Sequence, residues 1–245
     1  MQRNLLHITD CHLVPRGEQL QGVDTQASLD AVLVQAVSEA TPDAIVATGD
    51  LVHAGGTEVY RQFLSLLRNV FDGPLLCLPG NHDFAASMQE AKLPMESLTL
   101  GDWHVIGLDS HQDDEPKAYI DAAKRKHLID QWQQQPGRYG MLATHHPLLP
   151  IAAPWLDKDR IEDSEQLLDS LIDASGPLFA GAIFGHAHQV INGCYRQHPL
   201  LGTPSTGFQF QPRSKHFAMG EMRPGYRWLT LAKDGQIHSQ VRWLH

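Results

Sequence analysis

Cysteine is scarce in this chain. Its three cysteines, Cys11, Cys77 and Cys194, form no closely spaced pair. A disulfide scaffold and a thiolate-rich zinc site are therefore set aside, and a reducing compartment is expected. Long apolar runs are missing too: the longest apolar-looking stretch, residues 147–156, is broken by Pro150 and Pro154 and is unfit to cross a bilayer. Residues 1–8 enter a strand pattern without a long apolar leader, so a soluble, unexported, cytoplasmic protein is expected. Basic charge is in deficit, with 19 Lys and Arg against 28 Asp and Glu, a net charge of −9. That balance argues against nucleic acid or an anionic membrane as partner. It leaves room for a small phosphate ester, because bound cations reverse the field locally. No internal repeat, low-complexity tract or evident linker interrupts the chain.

What is present suits a folded α/β protein. Of 245 residues, 42% are apolar, enough for a substantial core. Strand patterns at 5–9, 44–48 and 74–78 alternate with two helices, one at 25–40 capped by Thr25 with Leu29, Val32, Leu33, Ala36 and Val37 on one apolar face, and one capped by Thr57 with Val59, Tyr60, Phe63, Leu64 and Leu67 inward. This rhythm predicts a parallel sheet with helices on its faces. Strands at 103–108 and 139–143 flank a helix at 118–134, stopped by Pro136-Gly137, and a helix at 164–174 precedes a strand at 178–184. The segments 190–195, 200–202, 226–231 and 237–244 alternate like antiparallel strands of a second sheet. Residues 1–245 thus read as one domain with two packed sheets. The runs Asp113-Asp114-Glu115 and Lys124-Arg125-Lys126 read as solvated surface.

Five short polar clusters follow apolar strand patterns: Asp10-Cys11-His12, Gly49-Asp50, Gly80-Asn81-His82-Asp83, His145-His146-Pro147 and Gly185-His186-Ala187-His188. Strand ends converge in space, so these carboxylates, the carboxamide and the imidazoles supply enough oxygen and nitrogen for two metal ions. On an extended segment Asp10 and His12 share a face, and Cys11 points away. Asp50 carries two oxygens and can touch two cations at once. Gly80 permits a sharp turn, Asn81 offers a neutral oxygen, His82 an acid or base, and Asp83 a partner for the His82 ring. His186 and His188 can serve adjacent metals. Of His145 and His146, neighbours on a strand, only one is expected to be a ligand. Each cluster alone has a plainer reading as a polar turn, a cap or a core histidine. Five together at strand ends favour a metal centre.

The ordered pattern D-x-H, GD, GNHD, H, GHxH resembles that of the calcineurin-like metallophosphoesterase superfamily, with the resemblance running from Leu5 to about Leu244. Further runs resemble its bacterial 3′,5′-cyclic AMP phosphodiesterase branch: residues 8–13, 47–51, 78–84, 154–157, 203–206 with Gln209, Phe210 and Pro212, and 224–227. The resemblance implies a four-layer α/β/β/α sandwich of two mixed β-sheets flanked by helices. It also implies that Asp10, His12 and His188 bind one metal, that Asn81, His145 and His186 bind a second, and that Asp50 bridges them, with His145 preferred over His146. His82 becomes the general acid with Asp83 as its orienter, and Asn81, His82 and His12 meet the substrate. The metals implied are Fe and Mn, and the donor set also allows Zn.

The reaction implied is hydrolysis of 3′,5′-cyclic AMP to 5′-AMP by in-line attack of a metal-bridging hydroxide. Alternatives are the same chemistry on 2′,3′-cyclic nucleotides or other phosphodiesters, or a non-catalytic metal-bound interaction module. No arginine cluster accompanies the motifs, so cations are expected to carry phosphate recognition. Trp155, Phe208, Gln209 and Phe210 suit either a wall for the base or simple loop packing.

Overall fold

The computed structural model describes every residue except Glu96, Asp114 and Pro136. The elements run β1 (Arg3–Ile8), α1 (Thr25–Glu39), β2 (Ala44–Thr48), α2 (Thr57–Val70), β3 (Leu75–Leu78), α3 (Ala85–Glu90), β4 (Leu98–Leu100), β5 (Trp103–Leu108) and α4 (Ala122–Gln134). They continue β6 (Tyr139–Thr144), α5 (Pro154–Asp157), α6 (Ser164–Asp173), β7 (Leu178–Phe184), β8 (Ile191–Tyr195), β9 (His198–Gly202), β10 (Gly225–Leu231) and β11 (Ile237–Trp243).

Side chains alternate across a strand, and here the alternation sorts residues into three cores. In β1 and β2, Leu6, Ile8, Ile45 and Ala47 face helices α1 and α2. Leu5, Ala44 and Val46 face the other way, into a core between two sheets. In β5 and β6, Val105, Met141 and Ala143 join that central core, while Ile106, Leu108 and Leu142 face α4 and α6. The layers are thus helix, sheet, sheet, helix, as expected. In β7 the register shifts opposite Gly140 and Met141. The extra residue flips the alternation, so Phe179 and Ala182 both reach the outer core while Ile183 reaches the central one.

Both sheets are mixed. The first has the order β11-β10-β1-β2-β3 and the second β4-β5-β6-β7-β9-β8. β1, β2 and β3 are parallel, as are β5, β6, β7 and β9. The tail does not build a second sheet of its own. β8 and β9 extend the sheet begun by β4 to β7, whereas β10 returns to pair antiparallel with β1. Alternation marks a strand but not its partner, which long-range packing selects.

Helix starts also differ from expectation. Asp24, not Thr25, caps α1 by accepting from the Ala27 amide. Gly56 precedes α2, and Thr57 instead bonds Glu90. The fourth helix begins at Ala122 behind the Asp121 cap. Upstream, the Ala118 and Tyr119 amides donate to Asp159 and Ser110 carbonyls, drawing the chain away from helix. Pro136 lies outside the described residues. Three short elements, α3, β4 and α5, carry too little periodicity to be read in advance. Lys124 is not merely solvated, since its ammonium bonds the His111 carbonyl at 2.9 Å. Asp114 of the acidic run falls outside the described residues. No described helix is long and apolar enough to cross a membrane.

Candidate metal centre

All five polar clusters follow the carboxyl ends of parallel strands: β1, β2 and β3 in one sheet, β6 and β7 in the other. The crevice beyond such ends is where open α/β sheets bind ligands. The backbone is unusual there. Asp10 (φ 51°), His12 (46°), Asp50 (49°), His186 (64°) and His188 (46°) all take left-handed conformations. Non-glycine residues seldom do so, and such strain gathers at functional sites. Asp10 and His12 therefore converge through a coiled backbone past the strand, not through the extended geometry expected. Cys11 between them is buried in the helix-side core, as anticipated. Gly80 serves closeness more than turning, since a Cβ there would collide with Asp50.

Two sets of donors result. His12 Nε2 lies 3.0 Å from His188 Nε2, and His188 Nε2 lies 3.4 Å from an Asp10 oxygen. In the second set, Asn81 Oδ1 lies 3.0 Å from His145 Nε2 and 2.9 Å from His186 Nδ1, with the two nitrogens 3.3 Å apart. Asp50 stands between, one oxygen 3.5 Å from His12 Nε2 and the other 3.5 Å from His145 Nε2. Ligands held about 2.1 Å from one ion at right angles would stand about 3.0 Å apart. The observed spacings would fit donors that share an ion.

The tautomers agree. His145 Nδ1–H donates to the Thr48 carbonyl at 2.8 Å and His188 Nδ1–H to that of Phe208 at 2.7 Å, leaving each Nε2 turned to the centre. His146 resolves the open pair differently. Its Nε2 donates to the Pro116 carbonyl and its Nδ1 faces Ser110 Oγ, so both nitrogens are engaged by protein.

Asp83 departs from expectation. In place of a bond to the His82 ring, its carboxylate accepts from the amides of Leu51, Val52 and Gly80 and from the Tyr60 hydroxyl. It clamps the loops carrying Asp50 and Asn81 together. Burial and the nearby Asp50 charge raise its carboxyl to about 6. His82 is exposed at the rim, its ring 5.0 Å from that of His12 and its amide donating to Asp50. His53 was not anticipated, because one histidine three residues past Asp50 forms no recognisable spacing. Its ring lies 4.6 Å from that of His82, and with His12 the three form a further donor cluster.

Charge in the centre is strongly organised. Burial opposes ionisation of Asp50, but His145 and His12 outweigh it and hold the carboxyl well below its usual range. Burial also opposes charge on His145, yet Asp50 lifts it to about 9. Burial and the His145 charge take His186 to about 3, and burial lowers His12. Ionised Asp50 and neutral His12 and His186 are in forms that bind metal, whereas His145 would have to release its proton to a bound cation.

The aromatics divide. Phe208 is buried and stacks on His12 at 5.6 Å. Gln209 is internal, with its amide bonded to Ser205 and Arg223. Phe210 lies flat on His188, centroids 4.0 Å apart, with Trp155 edge-on at 5.2 Å.

The profile of the Calcineurin-like phosphoesterase family matches residues 3–190. The chain is 34% identical to the 3′,5′-cyclic adenosine monophosphate phosphodiesterase CpdA of Haemophilus influenzae, over 97% of this chain and 89% of that one. It is 33% identical to the Escherichia coli CpdA, over 98% and 89% of the two chains. It is also 33% identical to a 3′,5′-cyclic-nucleotide phosphodiesterase of Nostoc, over 97% and 91%. In fold it is similar to a purple acid phosphatase of yellow lupin, with a TM-score of 0.66 and 13% identity over 99% of this chain and 52% of that one. TT1561 of Thermus thermophilus is similar as well, with a TM-score of 0.63 and 10% identity over 98% and 99%. With its family profile spanning most of the chain and its donor sets fitting a two-metal site, this chain belongs to the calcineurin-like phosphoesterase family.

Proposed function

We propose that the protein hydrolyses 3′,5′-cyclic AMP to 5′-AMP at a centre of two metal ions. The observation that carries this reading is Asp50, with one oxygen turned to each donor set. Asp10, His12 and His188 would hold one ion, and Asn81, His145 and His186 the other. The mixed nitrogen and oxygen donors, without thiolate, suit Fe or Mn and also allow Zn. When bound, such ions neutralise phosphate charge and acidify water at the site.

The chain's own groups do the rest. Asn81 turns its Oδ1 to the imidazoles, which leaves its amide nitrogen for a phosphate oxygen. His82, on the rim, is placed to give a proton to the departing 3′ oxygen. His12, ring to ring with His82, borders the same phosphate position. Asp83 positions both loops from below. The names of the relatives support the substrate, and the three free cysteines suit a cytoplasmic setting.

The test is conversion of 3′,5′-cyclic AMP to 5′-AMP by protein supplied with Mn²⁺, beside 2′,3′-cyclic AMP and a simple aryl diester. Turnover of the 3′,5′ ester, lost in Asn81→Ala, is expected. A metal-replete protein that leaves 3′,5′-cyclic AMP intact overturns the proposal.

A further inference from the structure

Beside the metal centre lies a trough of about 390 Å³, within the roughly 300–1,000 Å³ of small-molecule sites. His188, a donor of the first set, forms one end, and Val190, Phe210, Met222 and Trp243 line the sides. Large apolar side chains are left in solvent around it: Val190 is 38% exposed and Met222 54%. A soluble surface seldom leaves such groups together without a use. The Phe210 ring is held in place, flat on His188 and flanked by Trp155 and Phe217.

Three glutamines line the trough, and two of them, Gln209 and Gln189, are buried but differ. Gln209 has both ends of its amide bonded to Ser205, and its nitrogen also to Arg223. Gln189 is only 8% exposed, yet its side-chain nitrogen has no hydrogen-bond partner among the described residues. A buried amide donor without an acceptor is costly, so native structures rarely leave one unless something else supplies the partner. A carboxamide offers a donor and an acceptor side by side. Adenine offers the complementary pair, a ring nitrogen that accepts and a 6-amino group that donates. Guanine presents the reversed pair, an oxygen at the 6-position and a ring N–H, and would pair only with the amide turned end for end.

We infer that this trough receives the purine of the substrate and that Gln189 selects adenine through its carboxamide. The inference rests on the cyclic-nucleotide reading above and adds the residue that sets base preference. Phe210 supplies an aromatic face beside the base, and the trough begins at His188, so base and phosphate lie in one continuous site.

The experiment compares kcat/KM of the metal-loaded enzyme for 3′,5′-cyclic AMP, 3′,5′-cyclic GMP and the cyclic monophosphate of purine riboside, which lacks the 6-amino group. The wild type should favour cyclic AMP over both by about tenfold or more. In Gln189→Leu these ratios should fall toward unity. The near-isosteric Gln189→Glu, which loses the donor, should also reduce them and serves if the leucine variant does not fold. A substitution that only disturbed His188 would slow all three esters alike, so unchanged ratios in a folded variant overturn the inference. Wild-type hydrolysis at equal efficiency on all three overturns the base pocket alone. A wild type inert toward every cyclic nucleotide overturns the underlying reading, and the pocket with it.

Discussion

The metal centre and the cluster around Arg227 are both polar, both buried and both span the two sheets, but they meet the cost of burial in opposite ways. Arg227 on β10 is 1% exposed. It donates to Thr203, Asn192 and Ser239 and to the carbonyls of Ile191 and Gly202. His7 beside it bonds Thr48 with one nitrogen and Thr203 with the other. This cluster carries its own cation, which burial lowers only to about 10, so it stays charged at neutral pH. The metal centre buries Asp10 and Asp50 among histidines, with imidazole lone pairs facing one another. It lacks an internal positive charge equal to its donors. Buried polarity alone therefore does not mark a site; polarity that the protein leaves for an outside cation does.

The strongest way to break this contrast is Asp50→Ala. Removing the oxygen shared by both donor sets should cut phosphodiester turnover at least about a hundredfold and lower metal content below two per chain. Elemental analysis and kinetics on one preparation check this, and full metal content would sink the bridging assignment.

Arg227→Ala should act on stability instead. Leaving five acceptors and a cavity behind should cost about 2–4 kcal/mol by chemical denaturation, with metal content retained. Metal loss in a folded Arg227→Ala protein would show that the two clusters are not separable.

Chelation comes next. If the centre relies on an imported cation, stripping the metal should destabilise the protein by about 3 kcal/mol relative to free metal at a hundred times its Kd. Thermal melts with and without added Mn²⁺ measure it, and superimposable curves would mean that the fold does not draw on metal.

The smallest effect concerns a titrating histidine outside both clusters. Burial of His111 opposes its charge, but Asp109 and Asp113 outweigh burial and raise its pKa. A raised folded pKa adds stability that is complete below about pH 6.5 and disappears as pH rises through the folded value. Stability should fall by a few tenths of a kcal/mol from pH 6 to pH 8, because the two carboxylates are partly exposed. The slope should shrink in His111→Asn; an identical slope would assign the pH dependence to other groups.

Much of this molecule was legible in advance because two kinds of local pattern reach far. Period-two and helical alternation located β5 and β7 to the residue and placed the inward faces of α1 and α2. Polar clusters at strand ends, together with the family resemblance, singled out seven side chains that the structure brings together. Most of the errors share one cause. The late start of α4, the return of β10 to β1 and most bonds of Asp83 depend on partners distant in sequence, whereas the Asp24 cap is a local bond to the Ala27 amide. Thr57 was a plausible cap in isolation, but a bond to Glu90 engages its hydroxyl.

The sequence by itself determined the layers, the chemistry of the donors and their placement at strand ends, because hydrophobic period and ligand type are local properties. Only the tertiary structure decided that His146 turns both nitrogens to protein partners, that Asp83 clamps loops and leaves the His82 ring alone, and that Gln189 is left without a partner where Gln209 is satisfied. Those outcomes depend on which acceptors come within about 3 Å of a given donor, a distance that forms only when segments tens of residues apart close upon one another.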